Sequence, residues 1–307
     1  MGKIGFVFSG QGAQHPGMGK DLYETADCVR ALYDAAEKLR PGTLRQMFTG
    51  DAETLRATEN TQPCLYLADL APALVLREAG VTPAAVAGFS LGELPALAFA
   101  GAIDPLSGFA LTVKRGLLMG AATRERKTAM AAVVKLENRV VEELCGGFHA
   151  VYPVNYNCPG QLVVAGDAEE MPAFSAAVKA AGGAALPLKV AGGFHSPFMD
   201  GAAAAFAGVL SETPLQAPSI PVYANRTGAP YDAQSLSSTL GEQMNHPVLW
   251  ETTVRRMAAD GVDAFVETGV GNVLAKLIGK ILPEARVLTA ETAEDCTRVA
   301  EEVLARA

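Results

Sequence analysis

The chain has 307 residues, half of them hydrophobic and 19% charged, a balance that fits one large or two unequal globular domains. Its formal net charge is −8 and its pI about 5.1, which disfavours DNA or RNA as a partner. Glycine, proline or charge breaks every apolar run before it reaches the roughly 18 residues of a membrane span, so no membrane segment is expected.

The opening MGKIGFVFSGQ lacks the length and cleavage pattern of a secretory signal, and Phe6 spoils the myristoylation pattern that Met-Gly begins. The cysteines are Cys28, Cys64, Cys145, Cys158 and Cys296, an odd set with no C-x-x-C pair. Free thiols in a reducing cytoplasm are expected, with neither a disulfide framework nor a structural metal site.

Residues 3–8, KIGFVF, predict a buried strand, followed by the glycine-rich turn SGQGAQHPGMG. Helices are predicted over 20–40 and 62–79, a second buried strand over 86–89, and helices over 91–101 and 105–122. Strands alternating with helices predict an α/β layer fold with a mostly parallel sheet. The texture changes near residue 127, after the charged run ATRERK, a plausible hinge. A strand over 130–136, a helix over 137–146, strands in HAVYPVNYN and QLVVAGD, a helix over 169–182 and a strand over 184–190 follow the β-α-β-β-α-β rhythm of a ferredoxin-like subdomain. The expected division is a discontinuous α/β domain, 1–126 with 191–307, and a ferredoxin-like insert, 127–190. Beyond it, GAAAAFAG predicts a helix, and 220–226 and 264–269 predict further strands.

GFSLGE, residues 88–93, carries two readings. Gly88-Phe89-Ser90-Leu91-Gly92 between a strand and a helix fits a nucleophile elbow, where a strained turn exposes the hydroxyl and the next N–H holds an oxyanion. Ser90-x-x-Glu93 also fits a capping box that only starts a helix, and the two are compatible. Pro95 sits about one turn into that helix, where it threatens a kink. A serine nucleophile needs a base, and the chain offers four histidines. His15, His149 and His246 read as surface or satisfied core residues. His195, in GGFHSPFM, combines close-approach glycines with a helix start and is the better base. In FSGQGAQ the third Rossmann glycine is replaced by His15 and no GK[ST] follows, which disfavours a nucleotide-phosphate role. The loop follows the first strand, so it is placed to give a second oxyanion donor at Gln11, or else is a plain glycine-rich turn. Arg115, in VKRGLLM, reads locally as solvent-facing, the other choice being a planar anion in a cleft.

FVFSGQGAQ, GFSLGE, KRG, TAMAAV, VNYNCPGQLVVAG, GGFHSPFM, QMNHPVLW and ETGVGNVL stand in an order and spacing that resembles the malonyl-CoA:acyl-carrier-protein transacylases of type II fatty acid synthesis. The resemblance runs from Ile4 to about Leu282. It implies that the large domain is α/β-hydrolase-like, with the active site in the cleft between it and the insert, Ser90 carrying the acyl group and His195 acting as general base and acid. It implies an oxyanion hole from the backbone N–H groups of Gln11 and Leu91, and Arg115 on the malonyl carboxylate. It also implies that the main-chain carbonyl of Gln243, rather than an acid, orients His195. The implied substrates are malonyl-CoA and acyl carrier protein, with no tightly bound cofactor.

Three positions depart from the family's usual pattern: Phe89 where histidine is most common, Gly192 and Gly193 where proline or serine precedes the catalytic histidine, and Ser9 where the first motif begins with proline. Phe194 resembles the malonyl-selective form. Two rivals are a thioesterase passing the acyl group to water, opposed by Arg115 and the missing acid, and a non-catalytic carrier-protein-binding module, opposed by the intact Ser90, His195 and Arg115. Arg124, Arg126, Lys127 and Lys189 are the expected basic patch for an acidic carrier protein, or an ordinary solvated charge run.

Overall fold

The computed structural model describes residues 2–190 and 192–305. Strand β1 (Lys3–Phe8) runs into the glycine-rich loop, and α1 (Lys20–Thr25), α2 (Asp27–Leu39), α3 (Thr43–Thr49) and α4 (Thr58–Glu78) follow. Next come β2 (Ala85–Gly88), α5 (Glu93–Phe99) and α6 (Pro105–Glu125). The predicted helix over 20–40 is broken at Ala26, whose backbone is extended. The side chain of Arg30 turns back to donate to the Tyr23 and Glu24 carbonyls, giving α1 a C-terminal cap. At the other end of this segment, α4 starts four residues earlier than Gln62.

A second sheet follows: β3 (Thr128–Val134), α7 (Asn138–Cys145), β4 (Val151–Cys158), β5 (Gln161–Asp167), α8 (Met171–Ala180) and β6 (Ala184–Pro187). The chain then continues through α9 (Asp200–Ser211), β7 (Val222–Tyr223), α10 (Leu236–Gly241), α11 (Trp250–Ala259), β8 (Val262–Thr268), α12 (Val273–Ile281), β9 (Arg286–Ala290) and α13 (Ala293–Leu304).

The first sheet has the order β7-β2-β1-β8-β9, with every pairing parallel. Its central strands are apolar on both faces because helices cover both: Phe6 and Phe8 pack toward α4 and α5, Val7 toward Trp250 and α12. Helix α4 is buried along almost its whole length and forms the spine of that core. The second sheet is antiparallel with the order β4-β5-β3-β6, the arrangement expected of a ferredoxin-like β-α-β-β-α-β unit. It has its own core of Val133, Val141, Val164 and Phe174. The fold is thus α/β, a parallel sheet with a separate antiparallel one. Ala191, where the expected large domain resumes, lies outside the described residues.

The two sheets meet beside the loop after α10. Tyr156 and Val248 exchange backbone hydrogen bonds with the opposite segments: Tyr156 N–H donates to Val248 O at 2.9 Å and Val248 N–H to Val154 O at 2.8 Å. The cysteines are free, and burial pushes the thiols of Cys64, Cys145 and Cys296 up to about 12. No helix among the described residues is long and apolar enough to cross a membrane.

Candidate active site

Strand β2 ends at Gly88 and the chain turns through one tight helical turn, Ser90–Gly92, into α5. Ser90 sits at the apex with φ of 54°, a left-handed conformation that costs a non-glycine residue about 1–3 kcal/mol. The glycines permit the turn: a Cβ on Gly92 would lie 2.2 Å from the Phe8 carbonyl oxygen, and one on Gly10 would lie 2.7 Å from that of Phe89. The elbow and the loop after β1 therefore touch backbone to backbone. Asn225, just beyond β7, braces the elbow. Its Oδ1 accepts the Ser90 N–H at 2.6 Å and its Nδ2 donates to Gly88 O at 2.5 Å.

His195 lies in a turn entering α9 and also has a positive φ, 60°. Its Nε2 is 2.6 Å from Ser90 Oγ, and its Nδ1 is 3.0 Å from the main-chain carbonyl of Gln243. The second contact requires the proton on Nδ1, since a carbonyl only accepts, and so leaves Nε2 free to take the serine proton. Burial, with the Arg115 guanidinium nearby, lowers the His195 pKa to about 4, so the ring is neutral near pH 7.

Arg115, on α6, is 1% exposed. It donates to Gln62 Oε1 at 2.9 Å, to Gln243 Oε1 at 2.7 Å, and lies 3.4 Å from Ser90 Oγ. Its Nε is buried with no partner. Burial lowers its pKa to about 10, which still leaves it charged near neutrality.

The backbone N–H groups of Gln11 and Leu91 donate to no acceptor among the described residues, and the contact between their loops places both beside Ser90. A cavity of about 240 Å³ borders the Gln11 loop and Phe89, the residue before the serine, and is closed by Asn155 and Asn157 of β4, by Leu188 and by Leu274 of α12. A larger one, about 610 Å³, lies near the N-terminal ends of β1 and β8 among Lys3, Asp263 and Arg286. It holds none of the converging groups, whereas the smaller one borders Gln11 and the residue before Ser90. No cluster of three or more metal-binding side chains occurs among the described residues.

Residues 5–300 match the family described as the acyl transferase domain. The chain belongs to this family. The malonyl CoA-acyl carrier protein transacylase of Bacillus subtilis is 36% identical over 288 residues, covering 92% of this chain and 91% of that protein. Among solved structures, the malonyl CoA-acyl carrier protein transacylase of Coxiella burnetii superposes with a TM-score of 0.94 at 30% identity, covering 98% of this chain and 97% of that one. A malonyl-transacylase solved in complex with a type II PKS acyl-carrier protein has a TM-score of 0.94 at 33% identity, covering 98% and 99%.

In this acyl transferase domain the sequence-selected residues Ser90, Leu91, Gln11, Arg115, His195 and Gln243 converge, while His149 and His246 stay apart from the serine and His15 pairs with Glu291 at 2.6 Å. Three local readings are corrected. Ser90 caps nothing: its hydroxyl faces His195, and the carboxylate of Glu93 turns to Asn225, Tyr231 and Gln243 rather than to the helix start. Pro95 occupies the first turn of α5, where its missing N–H would have no helical partner anyway. Arg115 faces inward, not to solvent, because the side of α6 that carries it packs on α4.

The basic run is also less free than its sequence implies, since Arg124 pairs with Glu59 at 3.5 Å and Arg126 with Asp167 at 2.7 Å. Sequence reasoning missed Asn225, Gln62 and the inward role of Glu93. Their partners lie 53 to 150 residues away, beyond any local pattern.

Proposed function

We propose that this chain transfers a malonyl group from malonyl-CoA to the phosphopantetheine thiol of an acyl carrier protein, through a malonyl-Ser90 intermediate, supplying fatty acid synthesis in the cytoplasm without a bound cofactor. The observation that carries the reading is a buried, charged Arg115 with an unpartnered Nε, 3.4 Å from a serine hydroxyl that is itself 2.6 Å from a neutral histidine. A guanidinium beside a nucleophile suits an acyl group that ends in a carboxylate.

His195 Nε2 takes the Ser90 proton as Oγ attacks the thioester carbonyl. The carbonyl oxygen becomes an oxyanion held by the Gln11 and Leu91 N–H groups, and one such donor contributes about 3–4 kcal/mol to lowering the barrier. The imidazolium is held in place by the Gln243 carbonyl and returns its proton to the CoA sulfur as the C–S bond breaks. The carrier thiol then gives its proton to His195 and attacks the ester carbonyl, and His195 protonates Ser90 as the C–O bond breaks. The division of the chain into 1–126 with 191–307 and an insert of 127–190 belongs to the same reading, because the cavity beside Gln11 and Phe89 takes walls from both parts.

The test is acylation of the protein by malonyl-CoA and its discharge. Transfer of the group to carrier protein supports the proposal, whereas release to water at an equal rate would make the protein a thioesterase.

A further inference from the structure

Glu93 is fully buried on α5, yet the transfer just described gives it no task. Its Oε1 accepts the Tyr231 hydroxyl at 2.6 Å and the Asn225 N–H at 3.0 Å, and its Oε2 accepts Gln243 Nε2 at 2.5 Å. Burial pushes the Glu93 carboxyl up to about 7, while the three donors facing it and the Arg115 charge favour its ionised form. Gln243 joins this carboxylate to the site. Its Nε2 also donates to Ser90 O at 2.6 Å, and its Oε1 accepts Arg115 at 2.7 Å.

The amide of Gln243 has only two orientations. A carboxylate on one side accepts and never donates, so the NH2 must face Glu93 and the carbonyl oxygen must face Arg115. Reversed, the amide would put two donors against the guanidinium and an oxygen against the carboxylate. Among the described residues no carboxylate pairs directly with Arg115: both of its strong acceptors are neutral amide oxygens, from Gln62 and Gln243. A guanidinium already locked to an acid would have to give up that ion pair before binding a substrate carboxylate. Here the balancing charge stands one amide away, which orients the arginine and leaves its charge available.

We propose that Glu93 is a positioning residue that sets acyl-group selectivity: through the Gln243 amide it fixes Arg115 for a substrate carboxylate without occupying it. The proposal rests on the reading of Arg115 as the malonyl carboxylate site.

It is tested by measuring kcat and KM for acylation of the full-length protein with malonyl-CoA and with acetyl-CoA, together with thermal melts, on wild type, Glu93→Gln, Gln243→Met and Tyr231→Phe. Glu93→Gln and Gln243→Met each lower the malonyl-to-acetyl ratio of kcat/KM by roughly tenfold or more, mainly through the malonyl-CoA KM, the size expected for one misplaced hydrogen bond to a charged group. Tyr231→Phe removes a donor from the other carboxylate oxygen, so it lowers the melting temperature and leaves the ratio within about twofold. A folded Glu93→Gln protein that keeps the wild-type ratio overturns the proposal, as does a Tyr231→Phe protein that loses it equally. Should Glu93→Gln not fold, Gln243→Met decides by the same criterion. A wild-type protein with no malonyl preference overturns the Arg115 reading and this proposal with it. Failure in the variants alone overturns only the proposal.

Discussion

Replacing Arg115 with alanine removes a positive charge 3.4 Å from Ser90 Oγ and leaves the strand-turn-helix that carries the nucleophile untouched. A bound malonyl carboxylate would take hydrogen bonds from the guanidinium, including its unpartnered Nε. Each bond to a charged group contributes about 1.5–3 kcal/mol, and truncating one partner of a buried charge pair costs about 2–5 kcal/mol. The expected loss in kcat/KM for malonyl-CoA is therefore about 30- to 4,000-fold, at roughly 1.4 kcal/mol per factor of ten. Acetyl-CoA has no carboxylate and should change within a few-fold. The same substitution strands Gln62 Oε1 and Gln243 Oε1, each now facing one donor, so stability should fall by about 1–3 kcal/mol per buried acceptor left unsatisfied. The assay is a pair of acylation time courses, one per thioester, at a temperature where melts show both proteins folded. Equal losses for the two acyl groups would refute the selectivity argument and reduce Arg115 to a structural bridge.

Other consequences follow from the same geometry. The pKa of His195 is lowered to about 4 by burial and by Arg115, so the base is neutral above that pH and acylation falls only as pH drops through about 4, not through the ordinary 6.5. Arg115→Ala, followed with acetyl-CoA, should move that acid limb upward toward 6.5, and an unmoved limb in a pH-rate profile would show that the guanidinium is not the charge His195 feels. Asn225→Ala removes the 2.6 Å and 2.5 Å bonds that brace the elbow and should cost about 2–4 kcal/mol in denaturant unfolding, with kcat falling more than KM changes. A loss below about 0.5 kcal/mol, the scatter of ordinary surface changes, would mean the elbow holds its strain without Asn225. Ser9 Oγ donates to the buried Asp69 at 2.6 Å, so Ser9→Ala should destabilise by about 1–3 kcal/mol by leaving that carboxyl short of a partner, and an unchanged unfolding midpoint would contradict it.

Local pattern was informative where one surface decides the structure. KIGFVF and QLVVAGD are strands to the residue because buried strands read as continuous apolar runs. The predicted strand over 220–226 shrinks to Val222–Tyr223, since Pro221 opens it and Asn225 leaves the ladder to brace Ser90. The edge strand Arg286–Ala290 went unread because it is half-buried and shows no alternation. The serine and histidine were legible because glycines mark backbone under close approach. Arg115 was not legible locally: Lys114 and Arg115 look alike in sequence, and only the packing of α6 on α4 sends one outward and the other in. Glu93 sits at a capping-box spacing that concealed three bonds to residues 132 to 150 positions away. The ordered set of motifs, rather than any one of them, pointed to the transacylase family and so carried the inward reading of Arg115 ahead of the geometry.

The most direct measurement is the intact mass of the protein after brief mixing with malonyl-CoA, on wild type and on Ser90→Ala. Transfer through Ser90 requires a single malonyl adduct on the wild type, none on Ser90→Ala, and loss of the adduct to carrier protein when that partner is added. Steady release of free CoA with no adduct, or an adduct that survives Ser90→Ala, would contradict the mechanism at its first step.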